Sequence, residues 1–338
     1  MNENIASGAK VQEIEIDFFR SEDAPGIARL FRQVYGKGYP INIYYSPKRL
    51  IEENAVGRVL SSVARTHTGE VVGHDALVLL DPVTRLYENA AGAVLPRFRG
   101  QGVFFHLMKH NVFDYAKRFG LQEILGEPVC NHLQLQKMCL QLGYRETGLE
   151  VDLMPAAAYT KEQSAHGRVS VLLGYFLHKP MPQTVFLPPV YRDELEYLYA
   201  GMGVERTFAG TKEDLSARED SQGKMDVFTS AQVARMSIHQ IGSDFDSFIS
   251  QLENEACERG VEIFQVWLPL TSPFATAATE ILRIHGYFIG GLLPNRFGGD
   301  GLLMQKVKCE TDWGSIALHS ERAKRIADIV RSDQKKMK

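Results

Sequence analysis

The stretch from Ala91 to Met108, AGAVLPRFRGQGVFFHLM, constrains the fold more than any other part of the chain. It opens as an apolar strand pattern and bends through Pro96 and an Arg-rich corner. It then passes two glycines, Gly100 and Gly102, and closes as an amphipathic helix pattern. A strand, a glycine turn and a helix N-terminus together form an anion site. The first helical N–H groups have no intrahelical partner, and glycines let a phosphate come close to the backbone. Arg97 and Arg99 add positive charge beside the bend.

A length of 338 residues suits two domains or one large one. Apolar residues at 44% and charged residues at 23% are ordinary for a soluble globular chain. A net charge of −3 gives no reason to expect nucleic acid or an acidic membrane surface as partner. No apolar run approaches the ~20 residues that a membrane helix needs. The N-terminal segment lacks an apolar signal core, so the expected location is cytoplasmic. Cys130, Cys139, Cys257 and Cys309 lie far apart without ligand spacing, so thiols in a reducing compartment are expected, and no metal.

In chain order, residues 1–10 read as a disordered leader and 11–19 as a strand. Ser21 is placed to cap a helix with Ile27, Leu30, Phe31 and Val34 on one face. Tyr35, Tyr39, Tyr44 and Tyr45 surround a Gly/Pro loop, either as a substrate wall or as packing against the core. A short helix begins at Ser46-Pro47. Strands follow at 58–66, 70–80 and 86–95, the last leading into the glycine turn. The helix after the turn places Val103, Leu107, Val112, Tyr115 and Phe119 at helical spacing and stops at Gly120. A buried strand (122–129), a helix (132–142) and strands at 144–154 and 168–178 complete this half.

The run Val94-x-Pro96-x-x-Arg99-Gly100-Gln101-Gly102-Val103 resembles the pyrophosphate-binding signature of the GNAT superfamily of N-acetyltransferases, Arg/Gln-x-x-Gly-x-Gly/Ala. In the preferred register the motif runs from Arg99 to Phe104, with Phe104 replacing the last small residue. A second register, Arg97 to Gly102, fits the bare pattern. The order of elements over residues 11–179 is also similar to that family. The resemblance implies an α/β (α+β) fold in which acetyl-CoA or CoA lies between two splayed parallel strands. Its pantetheine would run along Val94 and Leu95. Its pyrophosphate would rest on the amides of Gly100, Gln101, Gly102, Val103 and Phe104, beside Arg99.

A second half repeats the first. The proline-rich stretch 180–189 reads as a linker or domain boundary. Beyond it, Ala256 to Gly260 matches Ala116 to Gly120. Gly286-Tyr287-x-x-x-Gly291-Leu292 matches Gly143-Tyr144-x-x-x-Gly148-Leu149. The turn corresponding to the phosphate loop, around 239–245, lacks the signature, and Asp244 and Asp246 bring negative charge. The expected organisation is therefore a GNAT acyl-CoA-binding domain at 11–179 and a degenerate GNAT-like domain at 180–309. A C-terminal helix follows at 310–338, and the two halves pair within one chain.

Acyl transfer to an amine requires a base for the ammonium, and the leaving thiolate benefits from an acid. Glu88 lies an even six residues before Val94, on the same strand face if no bulge intervenes. The resemblance places a general-base Glu at that offset in histone-type members. At the family's usual tyrosine acid stands Cys139, and at its usual asparagine stands His132, a candidate pantetheine contact. Glu127 closes the strand opposite Glu88 and, with Tyr44, is a candidate substrate contact. The implied activity is transfer of an acyl group, most simply acetyl, to a small-molecule or peptide amine by direct attack. The alternatives are a non-catalytic CoA-sensing module and an aminoacyl or long-chain acyl transferase.

Overall fold

A computed structural model of the chain describes residues 14–155, 167–180, 182–212, 214–215 and 219–337. The expected leader, the first residues of the expected 11–19 strand and most of the loop before Arg168 lie outside the described residues. The chain forms two compact units, Met1–Leu79 with Asn89–Gly120, and Leu80–Glu88 with Leu121–Lys338.

The first unit begins with β1 (Ile14–Phe18) and α1 (Ala24–Tyr35). The helix starts later than a Ser21 cap predicts. Ser21–Asp23 forms a 3-10 turn, and Asp23 forms a buried ion pair with Arg65, with Nε to Oδ1 at 2.7 Å. Next come α2 (Pro47–Ala55), β2 (Val59–Thr66), β3 (Val71–Asp81) and β4 (Leu86–Val94), with the sheet running β1-β2-β3-β4. The helix α3 (Val103–His110) continues through a π turn, Asn111–Tyr115, into α4 (Ala116–Phe119). The π turn carries the buried Asn111, whose Nδ2 donates to Asp75 Oδ2 at 2.9 Å. Ile27, Phe31, Val63, Val72 and Leu107 fill the core between helices and sheet.

The second unit holds the later elements of the first half together with the second half. From the first copy come β5 (Glu123–Gly126), α5 (Gln134–Leu142), β6 (Arg145–Pro155) and β7 (Arg168–Leu177). After them stand β8 (Gln183–Val185), α6 (Arg192–Ala200) and β9 (Arg206–Phe208). The second copy supplies β10 (Gln222–Phe228), β11 (Val233–Gln240), α7 (Phe245–Glu258), β12 (Ile263–Pro269), α8 (Ala275–Ile284), β13 (Phe288–Leu293) and β14 (Gly301–Val307). Within the 180–189 stretch the strand β8 pairs with β9, and Val185 and Leu187 are fully buried. The last helix, α9 (Glu321–Lys336), starts later than expected, where the Ser320 side chain accepts from Ala323 N at 2.8 Å.

Strand order in this unit is β5-β7-β6-β13-β14-β12-β11-β10. Its first six strands read as a palindrome: β5, β7 and β6 of one copy face β13, β14 and β12 of the other. Each copy forms the same antiparallel pairs, β5 with β7 and β6 with β7 in one, β12 with β14 and β13 with β14 in the other. Each inner strand slips register at the same place in the repeated motif, between Glu146 and Gly148 in β6 and between Ile289 and Gly291 in β13. The two strands are antiparallel and meet at Gly148 and Gly291.

That meeting admits no side chain. A Cβ on Gly148 would lie 2.7 Å from the Gly290 carbonyl oxygen and 3.0 Å from Gly291 Cα. Beyond this pair, backbone bonding of β6 passes to a side chain. The buried Gln305 of β14 donates to Leu149 O at 2.8 Å and accepts from Val151 N at 2.9 Å. Its amide replaces a strand where β13 turns away. Gln305→Leu therefore leaves a buried N–H and a buried C=O unpaired and should destabilise the protein by roughly 2–5 kcal/mol. Chemical unfolding followed by circular dichroism measures the loss, and a change below about 0.5 kcal/mol rules out the bridging role.

Candidate active site

The glycine turn is built as the sequence predicts. Pro96–Phe98 is a short 3-10 turn anchored by the buried Phe98. Gly100 (φ 75°) and Gly102 (φ 78°) are both left-handed, a region that costs side-chain-bearing residues. Gly102 is the N-cap of α3, so the N–H groups of Val103, Phe104 and Phe105 open the helix. The loop from Arg99 to Gly102 is exposed, and a Cβ on Gly100 would meet nothing within 4 Å. Arg99 is tied to the end of the strand, its Nε donating to Val94 O at 3.1 Å, and Gln101 Nε2 donates to Arg97 O at 3.0 Å. Val94 and Leu95 are buried, and Leu95 N donates to Val72 O at 2.9 Å. Open space, left-handed glycines and a helix start together suit a pyrophosphate.

Phe104, at the position where the sequence pattern expects a small residue, has a partner on the strand. A Cβ on Gly92 would lie 2.3 Å from Phe104 Cε2. The glycine makes room for the ring, so a large residue at one position is matched by an absent side chain at the other. The strand β4 is irregular beside it, with Ala91 at φ 59°. The even spacing from Glu88 to Val94 therefore crosses a break in alternation and does not fix a common face.

The corresponding turn of the second copy is closed by its own chain. At the start of α7, a Cβ on Gly242 would lie 2.2 Å from Glu219 O and 2.3 Å from Ser221 N. Asp244 Oδ1 accepts from Ser221 N at 2.6 Å, a bond that holds the carboxyl below its usual range. Asp246 pairs with His285 at 2.7 Å. A carboxylate and a packed segment fill this turn.

Glu88 and Glu127 belong to a buried charge cluster in the second unit. Arg235 of β11 lies 3.2 Å from Glu150 and 3.8 Å from Glu127. Gln265 of β12 donates to Glu150 Oε1 at 2.7 Å and accepts from Arg235 Nε at 2.7 Å. The Arg296 guanidinium lies 4.1 Å over the Trp267 ring, and Arg235 lies 5.1 Å from it. Burial, and then repulsion from Glu127, push the Glu88 carboxyl up to about 8. Burial also raises Glu150, against the pull of Arg235. Glu150, Tyr175, Trp267 and Gln265 are buried floor residues, whereas Glu88, Glu127, Arg235 and Arg296 keep partial exposure. A carboxyl raised this far in a partly open site has the proton affinity that a general base needs near neutral pH.

The other candidates fall elsewhere. Tyr44 is fully buried, stacked on Phe31 at 4.6 Å and edge-on to His74, so it stands in the aromatic core of the first unit. Cys139 is a buried side chain on α5, and its carbonyl accepts from Tyr144 N at 3.0 Å. His132 precedes α5, half-buried, and its carbonyl accepts from Gln136 Nε2 at 3.2 Å. Gln136 is 1% exposed and also binds Val129 O, Ala317 O and His319 N, which fixes the entry to α5. Among the described residues no group of side chains could hold a metal ion, and no helix is long and apolar enough to cross a membrane. The residues missed in sequence, Glu150, Tyr175, Arg235, Gln265, Trp267 and Arg296, lie on strands and a turn of both copies. Their one local signal was charge in strand patterns otherwise apolar.

No family profile matches the chain, and no curated protein matches it. Solved structures do. A spermidine N-acetyltransferase chimera from Vibrio cholerae and hSSAT is 14% identical with TM-score 0.39, covering 48% of this chain and 95% of its own. The ribosomal-protein-S18-alanine N-acetyltransferase from Escherichia coli is 18% identical with TM-score 0.38, covering 50% and 96%. A GNAT family N-acetyltransferase (YhbS) from Escherichia coli, solved in complex with CoA, is 21% identical with TM-score 0.32, covering 43% and 73%. Over about half its length the chain is similar to GNAT N-acetyltransferases of known structure.

The Gly92–Phe104 match is testable by substitution. Gly92→Ala should cost roughly 1–3 kcal/mol through overpacking, and Phe104→Ala in the same chain should recover most of that loss. Thermal unfolding of both single variants and the double variant measures the coupling, and strict additivity would show that the two positions do not touch.

Proposed function

We propose that the chain is an acyl-CoA-dependent N-acyltransferase, most simply moving acetyl to a primary amine. The observation that carries this reading is the open, glycine-lined start of α3 at the end of β4. In this reading 11–179 is the acyl-CoA-binding domain, 180–309 its degenerate copy and 310–338 a C-terminal helix. Acyl-CoA supplies the activated thioester. The amides from Gly100 to Phe104 would hold its pyrophosphate with Arg99 beside them, and the Val94–Leu95 strand end and His132 would hold its pantetheine.

Glu88 is the proposed base. It takes the proton of the bound ammonium so that the nitrogen lone pair can attack. Cys139 is the proposed proton donor to the departing thiolate, a modest role because a thiolate leaves without much help. Glu127 contacts the acceptor. A second reading, a module that binds CoA without turnover, gains support from the thiol at the position of the family's tyrosine.

Calorimetry with CoA should find one site per chain, because the second copy's turn is filled by Glu219–Ser221 and Asp244. Gly102→Asp should abolish that binding with circular dichroism unchanged, since a carboxylate at the helix start repels phosphate. Two equal sites, or undiminished binding by the variant, contradicts the assignment.

Because burial raises Glu88 to about 8, its base form is half complete near that pH. On an identified acceptor, kcat/KM should rise from about pH 6 and level off roughly one pH unit above the Glu88 midpoint. Glu88→Gln should lower kcat by ~10²–10⁴-fold at neutral pH, with CoA affinity preserved. The loss should shrink at high pH, where free amine is abundant. Full activity of Glu88→Gln across the pH range places the base elsewhere.

A further inference from the structure

The charge cluster of the second unit holds more polar capacity than its own residues use. Glu150 Oε1 is held by both Arg235 and Gln265, yet buried Oε2 has no hydrogen-bond partner. Arg296 Nη1, Trp267 Nε1 and the Tyr175 hydroxyl are also buried and unpaired. Each such atom, cut off from water, is unfavourable until it finds a partner. Four in one cluster, with both donors and an acceptor among them, call for a guest that offers both kinds of group.

The chemistry narrows the guest. Arg296 Nη1 and Trp267 Nε1 can only donate, so they require an acceptor, and a carboxylate matches a guanidinium best. Glu150 Oε2, with Glu88 and Glu127 nearby, requires a donor, and an ammonium matches. A polyamine offers donors alone and would face two guanidiniums. A simple anion offers acceptors alone and would face three glutamates. We infer that the acceptor is a zwitterion, a small molecule with a primary ammonium and a carboxylate, such as a free amino acid. This rests on the acyltransferase reading for its reaction, though not for its binding.

The recognising side comes from the second copy. Arg235 lies on β11, Gln265 and Trp267 on β12, and Arg296 after β13. The half without a phosphate loop thus supplies the acceptor's carboxylate contacts, while Glu88, Glu127 and Glu150 of the first copy take its ammonium. Glu88, Glu127, Arg235 and Arg296 are partly exposed, so the cluster reaches solvent. The acceptor is net neutral and leaves the charge balance of the cluster unchanged.

The test uses the full chain and two separate readouts. Binding of the twenty L-amino acids, their amides and the matching decarboxylated amines is measured by calorimetry with CoA present. Acylation of the same panel is measured with acetyl-CoA. The expected result is that one or a few amino acids bind and are acylated, while their amides and decarboxylated amines fall by roughly 10²-fold or more, as for sites built to pair a polar substrate group. Arg296→Gln should reduce that discrimination to within about fivefold, and Trp267→Phe, which keeps the ring and removes the donor, should weaken it in part. CoA affinity should stay unchanged in both.

Amines without a carboxylate acting as better substrates overturns the inference and leaves the acyltransferase reading intact. An amino acid that binds with this selectivity but is not acylated upholds the inference and counts against the acyltransferase. If no member of the panel binds while CoA does, the cluster is satisfied by solvent and the inference fails.

Discussion

Two glycines passing at backbone contact set the terms for the second unit. At Gly148 and Gly291 the inner strands of the two copies come so close that a methyl group would strike a carbonyl oxygen. Such an approach leaves room for only one cross-strand pair before the strands diverge, and everything around it follows from that limit. The register of β6 slips beside the contact, and so does that of β13. The backbone groups left over on β6 are met by Gln305, and Ile289 N on β13 is met by Asp333 of α9 at 3.0 Å. Asp333 in turn binds Tyr191 and Arg283, so the last helix is tied to the same seam.

The glycine turn before α3 depends on a different constraint, the left-handed backbone at Gly100 and Gly102. That requirement is local, which is why the loop was legible in sequence. Glycines at fixed spacing after an apolar run and before an amphipathic helix leave few other conformations. The repeat was legible for the same reason, because Gly143-Tyr144 and Gly286-Tyr287 each stop a helix and start a strand within two residues. The Phe104 departure was legible as a mismatch. Its accommodation was not, since Gly92 lies twelve residues away and its meaning depends on how α3 crosses β4.

The charge cluster shows what sequence order conceals. Glu150 stands in a strand that reads as ordinary, the strand of Arg235 goes unread in sequence, and their partnership depends on β6 and β11 belonging to one sheet. No local periodicity encodes that. For the tyrosine loop the sequence left two readings open, a substrate wall or packing against the core, and Tyr44, stacked on Phe31, takes the second. The proline-rich 180–189 stretch packs as well. Its prolines break helices, yet Val185 and Leu187 alternate into the interior, and burial of two aliphatic side chains outweighs the missing N–H donors.

The seam also has a consequence for synthesis. The strand β6 is made roughly 140 residues before the strand that covers it. At about 5–20 residues per second a ribosome leaves that edge uncovered for about seven to thirty seconds. During this interval the nascent chain offers the uncovered edge of β6 to any other nascent chain nearby. The glycine at its centre weakens pairing by a stranger that carries side chains, because only another glycine fits opposite. The same close contact that joins the finished halves therefore screens the unfinished one against the wrong neighbour.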